Sequence, residues 1–307
     1  PMVGKVVAGL FAILCVGGSF GGGNMFQANQ AFSQLEGQFP ILEGNGVYFG
    51  LLLSILVGVV IIGGINSIAK VTGKVVPVMA AVYVIGALIV IGVNIENIGP
   101  AFNAIIDGAF SPSALKGGIL GVLVVGFQRA AFSNEAGIGT EAMAHGAAIT
   151  KEPVREGLVA MIGPLIDTII VCSVTGFIIL STGVWTDPNL NGILMTSAAF
   201  GLGLPGFGQP LLMFIVTIFS ITTIIGYSYY GSKCAAFLFG NKWKQPYRIV
   251  YTLSLILAAV MSIDIVVNYV DGMFAVMAIP TMISTLILAP KVMQAAREYF
   301  AKLGVQE

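Results

Sequence analysis

The chain has 307 residues, of which 57% are hydrophobic and only 9% charged, with a formal net charge of zero. A soluble domain carries about a quarter charged residues, so this composition, with a mean hydropathy of +0.95, excludes a water-facing surface over most of the chain. With no basic patch, it also excludes nucleic acid as a partner. The natural solvent is lipid, where backbone polar groups must be satisfied internally by helices or a closed barrel. Barrel strands alternate in polarity over about ten residues, whereas the apolar runs at 47–65 and 77–93 are continuous. The expected fold class is therefore an all-α membrane protein.

A spanning helix needs about 20 mostly apolar residues. Eight spans are predicted in chain order, at 6–32, 47–65, 74–94, 118–149 (interrupted), 157–183, 208–236, 247–264 and 272–295. A short amphipathic piece at 100–110 is expected to lie on the membrane surface. With Lys5 on one side, eight spans place Lys70, Lys74, Lys151, Arg155, Lys233, Lys242, Lys244, Arg248, Lys291, Arg297 and Lys302 on that side too. Of the 14 basic residues only Lys116, on the other side, and Arg129, within a span, are left over. Lys and Arg concentrate in cytoplasmic loops, so both ends are expected in the cytoplasm and the membrane is read as the cell inner membrane.

Cys15, Cys172 and Cys234 fall in or beside different apolar runs, without metal-ligand spacing, and His145 is the single histidine. A zinc site or disulfide framework is not expected. No nucleophile–base or metal set is visible either, so the chain does not read as an enzyme, and no cofactor is expected beyond a coupling ion.

The interrupted span reads GILGVLVVGFQRAAF, SNEAGIGT, EAMAHGAAI. Its first part, about 22 Å of helix, is too short for a hydrocarbon core of about 30 Å. Gly137 and Gly139 favour unwinding, and Ser133 and Asn134 can cap the break. Unwound backbone at membrane depth is tolerated where protein or a wet cavity covers it, and broken helices of this kind build substrate sites in secondary transporters. Freed NH groups and the positive end of a half-helix suit a carboxylate; freed carbonyls suit an ammonium group or Na⁺. The bland alternative is a kink whose polar atoms satisfy one another. Arg129, Glu135 and Glu141 share the segment, and Glu141 and His145 are spaced to interact at i, i+4.

Two further polar sets stand out. In GGSFGGGNMFQANQ, Gly17, Gly18, Gly21, Gly22 and Gly23 allow close helix approach. The amides of Asn24, Gln27, Asn29 and Gln30 point inward, either to bond neighbouring helices or, for Gln27, to bond a substrate. In FSITTIIGYSYYGSK, Thr222 and Thr223 offer hard oxygen ligands for a cation, or bond back to the preceding turn. Tyr227, Tyr229 and Tyr230 line a pocket or form an interfacial belt. Asp167, mid-span, reads as a buried partner for another helix.

GNMFQANQ at 23–30, FSNEAGIGTEAMAHGAA at 132–148, VREGLVAMIGPLIDTIIVC at 154–172, IIGYSYYG at 224–231 and MAIPTMISTLIL at 277–288 together resemble the alanine or glycine:cation symporter family. The resemblance covers essentially the whole chain. It implies sodium-coupled symport of a small neutral amino acid by a leucine-transporter-type inverted-repeat fold. Residues 1–95 would be the last three helices of the first repeat and 115–300 the second repeat, in one transmembrane domain. It implies Gln27, Ser133, Asn134, Gly137, Gly139, Thr140 and Tyr227 at the substrate and Thr222 and Thr223 at sodium. Two departures are noted. The Gly-Thr-Gly-Asn-type broken helix that opens the first repeat is not found, so the chain is expected to be an N-terminally incomplete piece. Tyr227 also stands where the family often has Trp. The alternative classes are an ion channel, for which no repeated filter motif is found, and a non-transporting sensor that binds the amino acid without moving it.

Overall fold

In the computed structural model, residues 2–110 and 119–304 are described. Lys116 and the expected start of the second repeat at 115 lie outside them. The described chain is overwhelmingly helical, 88% helix with no strands. We number the helices α1 (Met2–Phe20), α2 (Phe26–Gln38), α3 (Gly46–Ile62), α4 (Gly64–Val93), α5 (Ile98–Phe110), α6 (Ile119–Asn134) and α7 (Thr140–His145). They continue as α8 (Pro153–Pro164), α9 (Ser173–Thr182), α10 (Gly192–Gly203), α11 (Gly208–Phe239), α12 (Lys244–Ala258) and α13 (Ile263–Lys302). Turns of π-helix at Gly21–Met25 and Leu165–Cys172 join α1 to α2 and α8 to α9 without ending either rod.

Among the described residues, five helical rods are long and apolar enough to cross a membrane: Gly4–Gln38, Ser67–Val93, Pro153–Thr182, Gly208–Phe239 and Ile263–Lys302. The helices Gly46–Ile62 and Gly192–Gly203 are apolar but shorter. Side chains such as Leu51, Leu52, Val59, Met161, Ile169, Phe214, Leu286 and Ile287 face outward, as a lipid-facing surface requires.

Several boundaries differ from the sequence expectation. Lys70 and Lys74 lie within α4 rather than in a loop, because the chain turns earlier, at Gly64 (φ 70°). α13 begins at Ile263 rather than near 272: Asp264 sits in its first turn, where a carboxylate suits the helix dipole, and Asp271 is paired with Arg129. The 12-residue α10 was not anticipated; at about 18 Å it is too short to register as a span, yet Phe200 and Ala199 on it are fully buried. The short piece expected at 100–110 is helix, within α5.

α11 is the central rod. It packs against α1, α2, α4, α10 and α12, while α1 also meets α13, and α3 pairs with α12. Glycine makes the α1–α13 approach possible: Gly17 and Gly18 lie against Met273, Phe274 and Met277, and Gly21 against Tyr269 and Val270. Gly23 is pressed onto the root of Tyr227, leaving no room for a Cβ.

Polar bonds then fasten the first rod to its neighbours. Tyr251, fully buried on α12, donates its hydroxyl to the carbonyls of Gly23 (2.9 Å) and Ile224 (3.0 Å). Asn24 Nδ2 donates back to the Tyr251 carbonyl at 2.7 Å. Asn29 donates to the Met261 carbonyl (2.7 Å), Gln34 to Ser197 (3.0 Å), and Gln30 accepts from the Ile193 amide (3.2 Å). Asn24, Asn29 and Gln30 thus serve as interhelical fasteners. Replacing Tyr251 with Phe removes the donor from two buried carbonyls at nearly constant volume. Thermal unfolding in detergent is expected to show a loss of about 1–2 kcal/mol, against an unchanged midpoint for the exposed Tyr48→Phe.

Candidate functional site

The predicted break is present. α6 stops at Asn134, and the next five residues carry three left-handed backbones: Glu135 (φ 58°), Gly137 (φ 84°) and Gly139 (φ 95°). Helix resumes at Thr140 for six residues. Asn134 Oδ1 accepts from the Ala136 amide at 2.9 Å, the side-chain turn that asparagine favours. The Ile138 amide closes onto the Glu135 carbonyl at 3.2 Å. Glycine relieves two of the three left-handed positions. The strain remaining at Glu135 has to be held by its surroundings.

Those surroundings come from three elements. The π-helical turn of the α8–α9 rod holds one side: Ser133 Oγ donates to Asp167 Oδ2 (2.6 Å) and Asn134 Nδ2 to Thr168 Oγ1 (2.8 Å). α13 holds another, with Thr281 Oγ1 donating to the Ile138 and Met277 carbonyls (3.3 and 3.0 Å) and Met282 lying over Gly137. α1 closes the third through Phe11, which with Thr281 leaves no space for a side chain at Gly139. Ile138 and Thr140 are fully buried.

Tyr227, 4% exposed, links the break to the first rod. Its ring root rests on Gly23, its face lies parallel to Phe274 (6.5 Å between centroids), and Tyr230 meets it edge-on at 5.3 Å. Its hydroxyl and that of Thr140 lie beside the Glu135 carboxyl. Gln27 donates Nε2 to the Gly22 carbonyl (3.2 Å) within the π turn, rather than to another helix. So the structure joins Tyr227 and Thr140 through Glu135, a residue that the sequence marked only as a charge in the broken span. Its signal was a carboxylate between a capping asparagine and two glycines.

The other predicted residues stand differently. Ser133 and Asn134 are engaged with Asp167 and Thr168, so Asp167 is a helix-to-helix partner, as its mid-span position suggested. Thr222 and Thr223 line a separate cavity of about 460 Å³ with Thr72, Ala144 and Tyr230. Thr222 donates its proton back to the Ile218 and Phe219 carbonyls (3.0 and 2.9 Å), which leaves its oxygen lone pairs available. Tyr230 connects the two places, since it lines this cavity and contacts Tyr227. A larger hollow of about 680 Å³ near Gln38, Asp187 and Gln209 holds none of the predicted residues.

Arg129 and His145, also near the break, each have a carboxylate partner. Arg129 bonds Asp271, tying α6 to α13, and lies 5.9 Å over the Phe132 ring. His145 Nδ1 sits 2.7 Å from Glu156, so its hydrogen-bonded partner is on α8 rather than Glu141.

A sequence model of the sodium:alanine symporter family matches residues 2–307. The chain belongs to that family. The "Sodium/alanine symporter AgcS" of Methanococcus maripaludis is 36% identical over 97% of this chain and 66% of its own length. An "Uncharacterized transporter" of Haemophilus influenzae is 35% identical over 97% of this chain and 66% of its own. The "Amino-acid carrier protein AlsT" of Bacillus subtilis is 30% identical over 90% and 59%. The chain therefore spans about two thirds of the length of these relatives. The sodium:alanine symporter family is one of transporters, not enzymes, and with several apolar helices the chain is a multi-pass membrane protein.

The break separates two kinds of glycine. Gly139→Ala combines a left-handed backbone with a Cβ 2.7 Å from Phe11 and 2.8 Å from Thr281. Gly137→Ala meets only the flexible Met282 side chain, 3.5 Å away. Each left-handed alanine costs about 1–2 kcal/mol; Gly139→Ala is expected to lower the detergent melting midpoint further than Gly137→Ala, and equal midpoints would remove the wedge.

Proposed function

We propose that the protein carries out sodium-coupled symport of a small neutral amino acid, alanine or glycine, by alternating access. The observation that carries this reading is the unwound segment 135–139, with Ile138 fully buried and α1, α13 and the π turn of the α8–α9 rod packed around it, in a chain of the sodium:alanine symporter family. Irregular backbone inside a membrane bundle exposes donors and acceptors together, which a zwitterion needs.

In this reading the chain crosses the inner membrane eight times with both ends in the cytoplasm. Residues 1–95 and 115–300 belong to two inverted repeats of a leucine-transporter-type fold. The backbone of Ser133, Asn134, Gly137, Gly139 and Thr140 frames the charged ends of the substrate; Gln27 and Tyr227 border its side chain. Thr222 and Thr223 supply oxygens to sodium from the cavity beyond Tyr230. Coupling is then a difference in affinity between outward- and inward-facing states, with sodium ordering the bundle around the break.

The test is uptake of labelled alanine by the complete gene product in proteoliposomes, with and without an inward sodium gradient. Saturable, sodium-dependent uptake is expected; uptake indifferent to sodium would remove the coupling, and conductance without saturation would favour a channel. Thr223→Ala is expected to raise the sodium concentration for half-maximal uptake by about tenfold, the effect of about 1.4 kcal/mol of lost binding. An unchanged sodium dependence would take the cation away from that position.

A further inference from the structure

Among the described residues the carboxyl of Glu135 has no ion-pair partner. The charged groups acting most strongly on it are Glu141 and Asp167, both acidic. The basic side chains of neighbouring elements are committed elsewhere: Arg129 bonds Asp271, Lys233 lies 5.4 Å over the Tyr229 ring, and the His145 ring bonds Glu156. The other titratable groups that face this region are Tyr227, Tyr230 and Cys15, none of which supplies a positive charge. Beside the carboxyl, Thr140 is fully buried and its hydroxyl makes no well-formed hydrogen bond within the protein. A half-buried carboxylate with no cation beside it, next to a buried hydroxyl that has no other side-chain or backbone partner, calls for a positive ligand. The backbone adds to this preference, because the C-terminal carbonyls of the 16-residue α6 end here and carry the negative end of its dipole. The left-handed φ of Glu135, which glycine would adopt without strain, is kept by a residue that brings a charge.

We propose that Glu135 holds the ammonium nitrogen of the amino-acid substrate, with the hydroxyls of Thr140 and Tyr227 completing a cradle of oxygen acceptors. This rests on the transport reading above and adds to it the group that selects an amine. An ammonium offers three N–H donors, matched by the carboxylate and two hydroxyls. The threonine pair at 222 and 223, with neutral oxygens in its own cavity, is left to the coupling ion. Tyr227 thereby acquires a second role: its root is fixed on Gly23 and its tip helps to orient the amine. Discrimination follows, since a carboxylic acid of the same shape without the amino group would leave Glu135 unpaired.

The experiment uses the complete gene product, in proteoliposomes for uptake and in detergent for alanine binding. In the unaltered protein, propionate is expected to displace alanine about a hundredfold more weakly than alanine itself, as loss of a hydrogen-bonded charge pair implies. Glu135→Gln, which keeps the shape, is expected to raise the KM for alanine about tenfold or more. Glu135→Asp should recover part of this, and the half-saturating sodium concentration should stay where it was. Propionate competing as well as alanine would overturn the proposal even if the Gln variant did not fold. So would a Gln variant with unaltered alanine affinity. A shift in sodium dependence alone would assign the carboxylate to the coupling ion and overturn the ammonium assignment. Failure of the unaltered protein to take up alanine would remove the transport reading and this assignment together, whereas uptake with an indifferent Gln variant would remove the assignment alone.

Discussion

Much of this architecture depends on the Tyr251 hydroxyl, which sits where α12, α11 and the first rod converge and donates to a carbonyl on each of the latter two. Both acceptors lie beside Tyr227 in space or sequence: Gly23 underlies its ring and Ile224 is three residues before it. In a bundle surrounded by lipid there is no hydrophobic force between apolar helices to set their relative height. Directional bonds and steric fit have to do so. The glycine face of α1 supplies the fit against α13, and the Tyr251–Asn24 exchange supplies the direction. Once these are set, the ring of Tyr227 has one place to lie and the break in the sixth helix meets it.

The sequence was a good guide wherever lipid imposes a strong rule. Helicity follows from long apolar runs, and the interruption at Ser133–Thr140 follows from two glycines and a capping asparagine in a span too short on either side. The fastening role of Asn24, Asn29 and Gln30 was one of two readings, and contacts with α10, α12 and the 259–262 turn decided it. Boundaries set by charge were less legible. Lys70, Lys74, Asp264 and Asp271 look like loop residues in an apolar chain, yet a helix can carry each of them by pairing or by placing it near its end. α10 was hidden for the opposite reason: its apolar stretch is shorter than a bilayer, so the rule that finds spans has nothing to say about it.

The site was legible in outline and not in assignment. Gly137, Gly139 and Thr140 were visible as a break, but which side chains reach them depends on contacts between residues a hundred or more positions apart. The side chains of Ser133 and Asn134 brace the break, because Asp167 and Thr168 stand opposite them on a π turn that no spacing rule reveals. Glu135 drew notice only as a charge, whereas the role proposed for it depends on there being no cation paired with it among the described residues.

The π turn at Gly21–Met25 has a consequence for how this rod could have arisen and how it can be altered. A π turn is an α-helix carrying one extra residue, so each residue after it faces where the position before it would face in an unbroken helix, about 100° back. Upstream of it, the glycine face addresses α13; downstream, Asn29, Gln30 and Gln34 address other partners. Deleting a single residue there would close the turn into ordinary α-helix with both halves still facing their partners, whereas a deletion elsewhere in the rod would rotate everything after it by about 100°. The five residues GGGNM thus absorb one residue without turning the rod, and the chain's tolerance of insertions along this rod is set by angle rather than by length.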